Sequence, residues 1–193
     1  MGLLEELAAV GFPVSSVDEL RESGMNYRAA VPALLKELGR ETDYGDKEWT
    51  VRALSVPWAK PTAIEPLLRE FRNCPNHPSP RERNTQWAIG NALCILWNDA
   101  FFDDYVDISQ NLSYGRSRRM VVLGFGKSKL REEATEFLLT LVDDPDVAGH
   151  AITALAKLAQ PAAREALQQA TSDSMAWIRK VAKKGLERLD SQA

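Results

Sequence analysis

The residues best equipped for chemistry in this chain are basic and aromatic. Between Tyr114 and Arg131 stand Arg116, Arg118, Arg119, Lys127, Lys129 and Arg131, with no acid among them. Near the C-terminal end Arg179, Lys180, Lys183, Lys184 and Arg188 stand against a single Glu187. Guanidinium and ammonium groups pair with carboxylates or phosphates, and tryptophan beside them supplies the contact area of an interface hot spot. Trp87 and Trp177 are the tryptophans placed for that role. The chemistry on offer is recognition of an acidic partner.

Patterns for catalysis or metal binding are incomplete. Two histidines in the whole chain, His77 and His150, leave little room for a Ser-His-Asp or Cys-His arrangement. Cys74 and His77 offer two ligands where a structural zinc needs four. Asp103 with Asp104, and Asp143 with Asp144, are sequence neighbours that point different ways on a helix. The second pair precedes Pro145, where capping accounts for it. Gly124-Phe125-Gly126-Lys127-Ser128 ends like a phosphate-binding loop, but that motif needs a glycine at position 121, which is Val121, and a preceding strand. No cofactor, metal or catalytic residue is expected.

The elements that position these residues recur. With Arg52, Gln86, Arg118, Ala148 and Arg179 as a common reference, the spacings are 34, 32, 30 and 31 residues. Three residues after each stand Ser55, Ile89, Val121, Ala151 and Ala182. Seven after stand Ala59, Leu93, Phe125, Leu155 and Leu186. One before stand Val51, Thr85, Ser117, Val147 and Ile178. A period of this length with helical spacing inside each unit predicts stacked helix pairs. First helices of the pairs are expected at about 30–38, 63–71, 101–112, 131–142 and 161–170. Second helices are expected at about 47–58, 83–97, 117–125, 147–159 and 175–189. No alternating strand pattern appears, so the fold class is all-α. Residues 1–26 read as a helical cap, with Ser16 as the N-cap of Val17–Glu22 and Glu19 as its capping-box partner. Residues 27–189 carry the repeats, and 1–193 form one repeat domain. The segment Asn73-Cys74-Pro75-Asn76-His77-Pro78-Ser79-Pro80 has three prolines and reads as a loop.

Asp143-Asp144-Pro145-Asp146-Val147 followed by Ala151, Ala154, Leu155 and Leu158 resembles a HEAT or HEAT-like repeat. Trp177-Ile178-Arg179 with Ala182, Gly185, Leu186 and Leu189 resembles it too. Val51-Arg52 and Ile178-Arg179 match the Val-Arg pair that opens the second helix in that family. Ser117-Arg118 matches the arginine alone, and Val147-Ala148 and Thr85-Gln86 lack it. The resemblance implies a right-handed superhelix of about five helix pairs, with the second helices lining a concave, partner-facing surface and the reference arginines tying repeats together. At 100° per residue, the arc opposite the apolar positions falls at −2, +1 and +5 from the reference. It carries Arg116 and Trp177 at −2, Trp87, Arg119 and Lys180 at +1, and Asn91 and Lys184 at +5. These seven are the expected partner-binding residues. Trp49, Trp58 and Trp97 read as packing residues, and Cys94 as a small core residue.

Composition narrows the class. A net charge of −3 with 26% charged and 45% hydrophobic residues is ordinary for a soluble protein. It does not suit a chain that coats nucleic acid or an anionic membrane. No apolar run reaches the ~18 residues of a membrane span, and the start carries Glu5 and Glu6 where a secretory leader carries basic residues. The expectation is a reduced, cytoplasmic, non-catalytic scaffold that binds another protein with an acidic surface. The alternative is a nucleic-acid-binding module. It includes the alkylpurine DNA glycosylases that the resemblance also covers, for which Asp146 is the one acid on the derived arc.

Overall fold

The computed structural model describes residues 2–40, 43–75 and 78–191. Among them there is no strand, and twelve α-helices carry the chain. They divide into two compact units, residues 1–96 and 97–193.

In the first unit the helices are α1 Leu3–Ala9, α2 Val17–Glu22, α3 Val31–Leu38, α4 Glu48–Leu54, α5 Lys60–Arg72 and α6 Pro80–Leu96. Ser16 caps α2, its Oγ accepting the Glu19 N–H at 3.1 Å. The Glu19 carboxylate reaches one residue further back than a capping box requires and takes the Ser15 N–H at 2.7 Å. α4 stops at Leu54, four residues short of the expected end. Ser55 Oγ donates to the Val51 carbonyl, and Val56, preceding Pro57, is forced into extended backbone (φ −130°, ψ 146°). α6 begins three residues earlier than expected. Ser79 Oγ accepts the Glu82 N–H and Glu82 Oε2 accepts the Ser79 N–H, a capping box that leads Pro80 into the first turn. Asn76 and His77 lie outside the described residues.

α3 packs on α4 and α5 on α6, while α2, α4 and α6 lie against one another in succession. The core is apolar: Leu34, Leu38, Val51, Leu54, Ile64, Leu67, Phe71, Ile89 and Leu93 are all buried. Two polar ties run through it. Gln86, at a reference position, donates to the Phe71 carbonyl at 3.1 Å. Lys47 and Glu70, both largely buried, pair at 2.6 Å.

The second unit holds α7 Phe102–Gln110, α8 Arg119–Gly124, α9 Arg131–Leu139, α10 Ala148–Leu158, α11 Arg164–Ala170 and α12 Ala176–Asp190. Each neighbouring pair is in contact (α7 with α8, α9 with α10, α11 with α12), and α8, α10 and α12 pack in succession. Its core is aromatic at one end. Trp97 stacks on Tyr105 at 4.2 Å, and Phe125 meets Trp97, Phe102 and Phe137 at 4.9, 5.3 and 4.9 Å. Asp99 closes this end by accepting from Trp97 Nε1 (2.8 Å), Ser128 Oγ (2.6 Å) and the Lys129 N–H (3.0 Å). Burial opposes the Asp99 charge, but these three donors outweigh it and hold its pKa below the ordinary value. The Gly-Phe-Gly-Lys-Ser segment is therefore structural: Phe125 fills the core and Ser128 fastens to Asp99.

Candidate functional site

The basic cluster of the second unit is built at the turn before α8. Gly115 adopts φ +48°, a left-handed value that glycine takes without strain, and reverses the chain ahead of three arginines. Their fates differ. Arg118 is 1% exposed. Its Nε donates to the Gly115 carbonyl at 3.0 Å, and its Nη1 donates to the Ser109 carbonyl at 2.8 Å and to Asp144 Oδ2 at 2.9 Å. Burial works against the Asp144 charge, yet the Arg118 guanidinium and the Asp146 N–H hold its pKa below the usual value. Arg118 thus ties the start of α8 to the end of α7 and to the turn before α10, and is unavailable to a partner. Arg119 is half-buried, its Nε spent on the Asp146 carbonyl at 2.7 Å. Arg116 is the exposed member, 75% accessible and 3.4 Å from Asp146 Oδ1.

The aromatic part is built one repeat further on. The Trp177 ring lies over Gly149, where an added Cβ would sit 2.4 Å from the ring edge. Any larger residue at 149 collides with it. His150 meets the same ring edge-on at 6.0 Å. Burial first, then the Arg119 charge, lowers the His150 pKa, which favours its neutral form. Trp177 remains 46% exposed. Lys180 follows it by one helical turn on α12 and Lys184 by two, both exposed. Asp146 thus links Arg116 with Arg119, and His150 meets Trp177, which precedes Lys180 by one helical turn. Asp103 and Asp107 on α7 and Glu132, Glu133 and Glu136 on α9 are exposed on the other helices of the pairs, while Glu187 and Asp190 are exposed on α12 itself.

In the first unit Trp87 is 39% exposed on α6, and Asn91, one turn along, is half-buried. The derived arc fails on α4: Thr50 and Ala53 are buried, because α2 packs against that helix and Tyr27 Oη donates to the Ala53 carbonyl at 3.0 Å. The reading of Trp49 as a packing residue is also corrected. It is 50% exposed with the Arg52 guanidinium 6.0 Å from its ring. Trp97 and Cys94 are buried, and Trp58 is half-buried.

Sequence reasoning placed Gly149 on the outer arc and His150 on the same helix but missed that both pack against Trp177. The adjacency Gly149-His150 in an otherwise alanine-rich helix was the available signal. Cys74 is buried against Tyr44, and burial together with the Glu82 carboxylate pushes its thiol up to about 11, a poor metal ligand. Among the described residues no group of three or more His, Cys, Asp or Glu side chains is placed to hold a metal ion, and no helix is long and apolar enough to cross a membrane.

No protein-family model, curated protein or solved structure matches this chain.

Proposed function

We propose that the chain is a HEAT-like repeat protein acting as a non-catalytic scaffold in the cytoplasm, and that the Trp177 surface of its second unit binds an acidic protein or peptide. The carrying observation is the Trp177 ring held over Gly149 and beside His150, half-exposed, with the exposed Lys180 and Lys184 one and two turns along the same helix. A half-exposed tryptophan followed by lysines on the same helix suits a carboxylate-rich partner with an apolar anchor. The repeat reading is supported by the 30–34-residue recurrence and by five neighbouring helix pairs in contact. Trp87 and Asn91 extend the same chemistry to the first unit.

The nucleic-acid reading rests on the same cations. Asp146, its candidate catalytic acid, stands 3.4 Å from Arg116 and 3.9 Å from Arg118. That environment suits a structural carboxylate better than one that must accept a proton. The two readings separate in a fluorescence-anisotropy titration of labelled polyglutamate and of labelled duplex DNA at two salt concentrations. The scaffold reading expects saturable polyglutamate binding that weakens about tenfold or more in Trp177→Ala. Tighter DNA binding with a steep salt slope supports the alternative. Free base released from alkylated DNA and lost in Asp146→Asn would establish the glycosylase.

A further inference from the structure

Where the loop after α2 meets the ends of α4 and α6, the first unit carries a groove of about 340 Å3. Arg21 and Arg52 line it together with Met25, Trp58, Asn91 and Ile95, and among the described residues no carboxylate does. Arg21 is exposed and makes no hydrogen bond or ion pair among the described residues. Arg52 is oriented by Glu48, whose Oε1 accepts from both Nε (2.9 Å) and Nη2 (2.6 Å), which leaves Nη1 for a ligand. Met25 and Ile95 are 47% and 42% exposed. Trp58 lies edge-on to Tyr27 at 5.3 Å, and its buried Nε1 has no acceptor. The half-buried Asn91 amide, which makes no side-chain hydrogen bond among the described residues, has a donor and an acceptor to offer a peptide bond.

We propose that this groove is a second binding site and takes a short peptide segment in which acidic and large apolar side chains alternate. The Arg21 guanidinium, with the remaining Nη1 of the Glu48-paired Arg52, recognises a carboxylate. The exposed Met25 and Ile95, with the Trp58 ring, take the adjoining apolar side chain. Asn91 reads the peptide backbone between them. The inference shares with the proposed function the acidic character of the partner and the residue Asn91. It places the contact in the first unit, on Arg21 and Met25, which the repeat pattern does not reach.

The test uses the full chain and a five-residue probe of alternating phenylalanine and glutamate, acetylated and amidated so that only side-chain carboxylates are present. Binding is followed by chemical-shift changes and isothermal titration. The expected result is saturable binding with shifts at Met25, the Trp58 indole and the Asn91 amide. Arg21→Glu should weaken it about tenfold or more. Met25→Ser, on an exposed loop, should weaken it without touching a charge, and a probe with glutamine for glutamate should bind at least about tenfold less tightly. Absence of saturable binding to the wild type, or equal binding of the glutamine probe, overturns the proposal. Binding that survives both variants but is lost in Lys180→Glu also overturns it, while leaving the second-unit reading in place.

Discussion

At Gly149 a hydrogen stands where a methyl group would meet the Trp177 ring at 2.4 Å. The ring is exposed on its other side, so it can swing away. Gly149→Ala should therefore shift thermal stability by less than about 1 kcal/mol, while polyglutamate affinity falls by about the factor seen in Trp177→Ala. Melting curves and anisotropy titrations check the two halves separately. Arg118 and Asp144 behave oppositely, as a buried tie. The Asp144 pKa is depressed in the folded state, so its contribution is fully present above the unfolded value of about 3.9. That contribution is lost as pH falls through the lower folded-state value. Thermal melts from about pH 5 to pH 2 should show the wild type losing stability faster than Asp144→Asn, with the variant already less stable at pH 7. Parallel curves would detach Asp144 from the acid limb. Neither residue's role was legible from its type alone. Arg116, Arg118 and Arg119 stand within four consecutive positions; the reference position marked Arg118 as the tie, but which of the other two is half-buried and which is exposed beside Asp146 is set by the turn at Gly115.

Between elements, the same kind of glycine has a different consequence. A Cβ at Gly185 would lie 2.8 Å from Ala156 Cβ and 3.0 Å from both Ala156 Cα and Leu167 Cδ1. Here a backbone atom is in the way, so α12 must move off α10 and α11. Gly185→Ala should cost about 1–3 kcal/mol in chemical denaturation. An unchanged midpoint would show that the helices are further apart than described. Helix existence was well signalled by the recurring reference positions. The residues one before the reference, Val51, Thr85, Ser117, Val147 and Ile178, are all buried as their period requires, while in the series three after it Ser55 alone is only half-buried. Boundaries were less legible where local hydrogen bonds compete with the helix. α4 ends where Ser55 caps back onto Val51 and Val56 precedes a proline. The Ser79-Pro80-Arg81-Glu82 start of α6 was hidden inside a segment that its prolines marked as loop.

At the scale of the molecule, each unit has its own apolar core, and each presents a different recognition chemistry. The second unit sets Lys180 and Lys184 along the same helix as Trp177. The first sets Arg21 and Arg52 beside exposed methionine and isoleucine. On the second unit the arc residues Arg116, Trp177, Lys180 and Lys184 are exposed and Arg119 is half-buried. The arc failed on α4 because the cap helix α2 covers the side it assigned to a partner. A solvated charged surface and a binding surface read alike in sequence; the platform of Trp177 on Gly149 gives the second unit a shape as well as a charge. The central claim is that this surface captures an acidic protein. Its most direct test is recovery of partners from source-cell lysate on immobilised wild type and on a Lys180→Glu, Lys184→Glu variant, each with and without nuclease. Both lysines are exposed, so the variant should fold. The account predicts a protein retained by the wild type, lost by the variant and unaffected by nuclease. Equal recovery by both forms, or recovery that vanishes with nuclease, would contradict it.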